Sequence, residues 1–289
     1  MQTEFEFFGE EMDFEIFASY EVFFLNKRIV FLGMSDEFTK EAYQYQTLFL
    51  SYLYRHGFRH IGFEQSPLPA VSEASMNTPA LRVQRAKGQA LLKERQKVQA
   101  FLRRLDGHRP VGQAPLKVFH YQAGDQAQIQ QQMAQLEPGE KLILIGHDLS
   151  LSRTPSVLSQ TYPQVAASPS TIGSTVADMF PAQILSVWMM SHGGTDSNPA
   201  CADRECEMDV SDLDISYLLR ATLPPIPKAM YLFSSHVLPG PLDQSYDFQT
   251  DQGNIRGELK LNADLILYVE NIHALSLDRR LLRDDGAAN

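Results

Sequence analysis

Residues 28–64 read RIVFLGMSDEFTKEAYQYQTLFLSYLYRHGFRHIGFE, and this stretch decides the fold. Arg28–Leu32 is a short, almost continuous apolar run, and Arg59–Phe63 is a second. Between them, Phe38, Ala42, Tyr45, Phe49 and Tyr52 recur at alternating spacings of four and three, which predicts a helix over about Asp36–His56 with one apolar stripe. Ser35 is expected to cap its start, with Asp36 and Glu37 on the positive end of the helix dipole. Gly57 stands where a left-handed residue would end it. Strand, helix and strand make a βαβ crossover, and ligands bind beyond the carboxyl ends of such strands.

Working outward, further apolar runs occur at Lys117–Tyr121, Leu142–Ile145, Ile184–Met190, Ala229–Phe233 and Leu265–Val269. Runs of this kind suit strands covered on both faces. The expected fold class is α/β: a mostly parallel central sheet with helices on both faces, in a single domain over residues 1–289. A second helix is expected over about Pro79–Leu105, with Leu91, Val98, Leu102 and Leu105 on its buried face. It carries eight of the chain's 25 Lys and Arg residues: Arg82, Arg85, Lys87, Lys93, Arg95, Lys97, Arg103 and Arg104. Two readings of that face stand side by side, a solvated helix surface and a cationic wall for an acidic ligand or partner. Leu149–Pro181 and His192–Asp214 read as irregular loops that follow strands, so both are expected to cover one end of the sheet.

The 35 Asp and Glu residues give a net charge of −10, which repels phosphate backbones and argues against nucleic acid as a partner. No stretch approaches the ~20 apolar residues of a membrane span. The start of the chain, Met1-Gln2-Thr3-Glu4-Phe5-Glu6, is acidic where a secretory signal would be basic. With only Cys201 and Cys206, the expectation is a cytoplasmic protein with reduced thiols and no membrane partner. The aromatics Phe5, Phe7, Phe8, Phe14, Phe17, Tyr20, Phe23 and Phe24 read as helix packing or as apolar contact surface.

Polar residues gather where the strands end: Gly33-Met34-Ser35-Asp36-Glu37, Glu64-Gln65-Ser66, Gly146-His147-Asp148, Ser191-His192-Gly193-Gly194-Thr195-Asp196 and Ser234-Ser235-His236. In a parallel sheet these ends share one rim. Carboxylates and imidazoles would then meet in a cleft suited to acid–base work. The candidate catalytic set is Asp36, Glu37, Glu64 and His147; the candidate ligand-binding set is Ser35, Asp148, His192, Asp196 and His236. No compact metal-ligand spacing occurs, so no metal ligand is assigned and no cofactor is identified.

These same strand ends resemble the erythromycin esterase-like family, part of a superfamily that includes haem-binding uptake and Tiki-type proteins. Family members have a strand, a Gly-Glu-x-x-His turn, a helix, and a short strand ending in Glu. Gly33, the helix after it, His56-Gly57-Phe58-Arg59 and Glu64 are similar. Gly124-Asp125 resembles a Gly-x-Asp element, and Gly146–Ser150 a strand end reading Ala-His-Asn-x-His. Ile172-Gly173 and the closing strand at Leu265–Val269 extend the likeness over about residues 26–275. The resemblance implies a cleft in which His and Glu residues activate water for ester hydrolysis. Met34 stands in place of the motif Glu, Glu37 in place of the His that acts as base, and Ser150 in place of the second His. Loss of a general base removes roughly 10²–10⁴-fold in rate. The departures therefore favour a protein that binds a small molecule or peptide, as an accessory in a biosynthetic pathway. A divergent hydrolase using Asp36, Glu37, Glu64 and His147 is the second reading, and a module docking an acidic protein partner on the basic helix is the third.

Overall fold

The computed structural model describes residues 14–34, 37–65, 78–155, 159–160, 170–197, 206–207, 230–234, 246–250 and 253–278. β1 (Ile29–Met34) lies inside the main sheet between β4 (Lys141–His147) and β6 (Ile184–Asp196). β2 (Phe58–Gln65) pairs with the far side of β4, and β3 (Lys117–Gln122) pairs with β2. β11 (Leu265–Ile272) continues the sheet beyond β6, and these six strands are all parallel. β8 (Met230–Ser234) is added antiparallel to β11, and β7 (Cys206–Glu207) pairs with the end of β6. A separate sheet joins β5 (Ser159–Gln160), β9 (Tyr246–Thr250) and β10 (Gly253–Gly257). The α/β architecture expected from the apolar runs is therefore present, with all seven predicted strands in the main sheet.

Side chains alternate across the strands, so the sheet has two cores. Val30, Leu32, Met34, Ile143, Ile145 and Val187 face one, which is covered by α3 (Lys40–Arg55) and α4 (Pro79–Gly107). Ile29, Phe31, Leu142, Leu144 and Ile184 face the other, covered by α5 (Gln126–Ala134) and α6 (Ile172–Met179). The two short helices α1 (Glu15–Ala18) and α2 (Glu21–Leu25) put Phe17 and Phe24 into the first core against Phe49 and Tyr52. These two of the early aromatics are packing residues; Phe23 stays 40% exposed.

The chain leaves β1 through α3 on one face and leaves β4 through α6 on the other. β1 and β4 are neighbours, with Met34 opposite His147 at their last residues. That pair marks a topological switch point, where the connections diverge and open a crevice. Gly173 lets α6 lie flush on the loop after β4: a Cβ there would stand 2.1 Å from the Leu151 carbonyl oxygen.

Three local expectations are corrected. α3 begins at Lys40, capped by Thr39, whose side chain accepts the Ala42 N–H. The reason is tertiary: Thr39 bridges to Ala274, and the Lys40 N–H donates to the His273 carbonyl. Ser35 and Asp36 lie outside the described residues. His192–Asp196 does not loop out, because β6 runs on through it, pairing with Asn271 and Ile272 of β11 and then with β7. The carboxyl end of β8 is on the opposite rim, since Ser234 pairs with Leu265 at the start of β11. His236, which follows that end, lies outside the described residues, as does Cys201. Gly57 does end the α3 region with φ +86°. No helix among the described residues is long and apolar enough to cross a membrane.

The amino-end rim is tied by polar groups. α7 (Leu259–Asn262) presents the side-chain Oδ1 of Asn262 to Ser152 and Thr154, while Asp264 takes Arg153 through both oxygens and the Ser186 N–H. Across the sheet, Glu140 accepts the Glu137 N–H at 2.8 Å and pairs with His60 and Lys117 at 2.9 and 3.1 Å. The Glu137 N–H, then His60 and Lys117, hold its carboxyl down at about 2.

Two outcomes follow from this framework. Gly173→Ala should lose about 1–3 kcal/mol, read as a lowered urea midpoint, because the added methyl meets backbone that cannot yield. Because the folded state depresses the Glu140 pKa, its contribution is present above the ordinary carboxylate range and fades as pH falls toward about 2. Glu140→Gln should therefore lower the urea midpoint at pH 7 and match the parent near pH 2.

Candidate active-site cleft

At the switch point the carboxyl ends of β1, β2 and β4 open into a cavity of about 280 Å³, roofed by α4. Met34, Phe63, Leu92 and Val98 give it apolar surface. Gln46, Gln65, Gln96 and Gln99 give it amides, and Glu37, Glu64, Arg95, His120 and His147 give it titratable groups.

Glu64 sits deepest. Its Oε2 accepts the backbone N–H of His147 at 2.9 Å, and its Oε1 accepts the Ser150 hydroxyl at 2.8 Å. The carboxylate reaches this seat by lying over Gly146, where a Cβ would stand 2.2 Å from Glu64 Oε2 and 2.7 Å from the Tyr121 hydroxyl. Burial raises the Glu64 pKa above its ordinary value, partly offset by the Ser150 hydrogen bond and by His147. Tyr121 itself donates to the Ile145 carbonyl and closes the floor.

His147 ends β4, and its Nδ1 is 2.9 Å from Asp148 Oδ1. The Leu149 N–H donates to the same Asp148 oxygen at 2.8 Å and to Nδ1 at 3.2 Å, so this ring nitrogen lies between a carboxylate and a backbone donor. Asp148, only 1% exposed, lies behind His147 and is not among the residues lining the cavity.

Glu37 does not face a water-activating partner. Its Oε2 accepts from Arg95 Nη2 at 2.8 Å, an ion pair between the β1–α3 turn and the roof helix. Burial first, then the Glu37 charge, push the nearby Tyr43 phenol well above its usual range. Beside them, the Gln46 amide donates to the Met34 thioether at 2.9 Å.

Of the residues singled out by sequence, the structure brings Glu37, Glu64 and His147 to one cavity. Asp196 is buried where β6 leaves the sheet and does not line it. His192 lies within β6, away from any strand end. Arg95 and the four glutamines were not predicted. Part of their signal was legible: Leu92, Arg95, Gln96 and Gln99 share one face of the basic helix at spacings of three and four. Lys87 on the same helix is fully buried, so the helix's charge is not all on a solvated surface. Among the described residues, no group of three His, Cys, Asp or Glu side chains could hold a metal ion.

No protein-family model matches the chain, and no curated protein matches it. Solved structures do. A protein from Bacillus cereus superposes with a TM-score of 0.63 at 10% identity, over 91% of this chain and 93% of that one. A succinoglycan biosynthesis protein gives 0.59 at 8% identity, over 91% and 92%. A mutant erythromycin esterase in its open conformation gives 0.53 at 12% identity, over 92% and 96%. Likeness at this level of identity reports architecture, and the chain has the erythromycin esterase-like α/β fold.

Proposed function

We propose that the cleft binds a small, uncharged, hydroxyl-rich molecule of the carbohydrate class without hydrolysing it. One observation carries this reading: Glu37, which stands where the resembling family has its base, is tied to Arg95 at 2.8 Å. The local charges are neutralised within the protein, so a charged ligand would have to break that pair. An uncharged one would not. Amides suit hydroxyl groups because each offers donors and an acceptor. Phe63 and His120, with ring centroids 5.9 Å apart and planes tilted by 34°, supply ring faces against which a sugar can pack. A cavity of about 280 Å³ is at the small end of ligand sites, which favours a small molecule over a peptide. A role beside a biosynthetic enzyme accords with the neighbour described as a succinoglycan biosynthesis protein.

A second reading, ester hydrolysis, is favoured by the Asp148–His147 contact and the raised Glu64 pKa. An oriented imidazole beside a carboxyl of raised pKa is the composition of an acid–base pair.

The test is a thermal-shift panel of neutral monosaccharides, sugar acids and short-chain aryl esters, with turnover followed on the esters. A neutral sugar should raise the Tm of the parent, and Gln99→Ala should abolish that rise. If no neutral sugar stabilises the protein, the binding proposal fails. Ester turnover that drops by about 10²–10⁴-fold in His147→Ala would give the cleft to hydrolysis instead.

Glu64→Gln separates fold from function. The folded state raises the Glu64 pKa, so its contribution is greatest below the ordinary carboxylate range and is lost as pH rises through the raised value. A glutamine can still accept the His147 N–H and can donate to Ser150. Urea melts should find Glu64→Gln at least as stable as the parent at pH 8, with the difference shrinking toward pH 4, while sugar binding is weakened.

A further inference from the structure

The cover that α4 gives the sheet stops short of the outer strand. Ile61 on β2 belongs to the core under α4 and is 1% exposed, whereas its pairing partner Val118 on β3 is 38% exposed. Side chains two apart on a strand share a face. Val118, His120 and Gln122 therefore stand in one row beside Ile61, Phe63 and Gln65. All three residues of the β3 row are exposed, while Phe119 and Tyr121 between them turn to the core under α5. They form an open ledge alongside the cleft. His120 and Gln65 belong to both, because they line the cavity and are themselves exposed.

The ledge continues the ring and amide chemistry of the cleft. Gln122 Nε2 donates to Gln65 Oε1 at 2.8 Å, which ties the two surfaces together. An amide has two N–H donors, so Gln122 keeps a second one to offer. No Lys, Arg, Asp or Glu stands in the row Val118, His120, Gln122 or opposite it at Ile61, Phe63 and Gln65, in a chain of net charge −10. The strand's backbone edge is already occupied. Gln128 Oε1 accepts the Gln122 N–H at 3.4 Å, and Gln128 Nε2 donates to the His120 carbonyl at 3.0 Å. A strand from a second copy would have to displace Gln128, so β3 offers its face and not its edge.

We propose that the ledge is a second subsite and that the cleft receives the end of a neutral oligosaccharide. The terminal sugar unit enters the cavity, and the next unit lies on Val118, His120 and Gln122. This rests on the reading of the cleft as a site for an uncharged, hydroxyl-rich molecule. Val118 and the His120 ring cover the apolar face of the second unit, and Gln122 meets its hydroxyl groups.

The experiment is calorimetric titration of the full chain with glucose, galactose and mannose, and with disaccharides built from each. A disaccharide should bind about tenfold more tightly than its monosaccharide, the size of one hydrogen bond plus the apolar area covered. Val118→Asp should remove that gain. Val118→Tyr should raise disaccharide affinity a few-fold, and a gain cannot come from misfolding. Both variants should leave monosaccharide affinity unchanged, because Val118 does not line the cavity. If monosaccharides bind and disaccharides bind no more tightly, or if the Val118 variants shift both alike, the ledge is overturned and the cleft reading stands. If sugars of neither length bind, both fall. A dimer in sedimentation that Val118→Asp dissociates would give the ledge to a second copy and overturn the proposal.

Discussion

Glu64 occupies space that a side chain on the neighbouring strand would otherwise fill. Its carboxylate lies over Gly146, takes the His147 N–H and the Ser150 hydroxyl, and is walled by the Tyr121 ring system. That seat needs three things at once: β2 parallel to β4, a bare Cα at position 146, and a hydroxyl three residues past His147. The first comes from the sheet and the other two are sequence. Positions 146 and 150 therefore both serve one carboxylate.

The same logic governs charge. Among the described residues, three carboxylates stand near the ends of β1, β2 and β4, and each has its own partner: Glu64 has a backbone N–H and a hydroxyl, Asp148 has His147 and the Leu149 N–H, and Glu37 has Arg95. Carboxylates brought together without such partners would raise one another's pKa and destabilise the fold at neutral pH. Separate pairing lets a protein of net charge −10 keep these acids side by side at its switch point. The cost falls on reactivity. A carboxylate bound to a guanidinium, or buried under two donors, is held still and offers few lone pairs to water.

Much of this could be read from the chain. Seven apolar runs gave seven of the eight strands that the main sheet has among the described residues, and the signal is cleanest for β1 and β4, whose buried faces leave few polar positions to blur it. The α3 stripe and Gly57 were legible for the same local reasons. The errors arose where distant residues decide. Ser35 has the chemistry of a cap, but residues 273 and 274 hold Thr39 and Lys40, so the helix starts later. His192–Asp196 is glycine-rich and polar, yet β11 and β7 pair with it and carry the strand on. The direction of β8 has no local code at all. Within the site, Glu64 and His147 were found because they end strands. Arg95 was hidden among seven other basic residues of one helix, and only the packing of α4 over the cleft separates it from them.

Under the proposed function, Arg95 would set the selectivity. It enters the cleft already paired, so the roof helix presents a neutral surface of amides, one ion pair and Leu92. A ligand carboxylate could reach Arg95 only by displacing Glu37, and would leave that buried acid without a partner, an exchange that gains no ion pair and strands a charge. A ligand ammonium faces the mirror-image loss. A hydroxyl group displaces nothing: it bonds to Gln46, Gln65, Gln96 or Gln99 and leaves the ion pair standing. Under that reading, discrimination against charge would arise from the penalty of unpairing groups already satisfied.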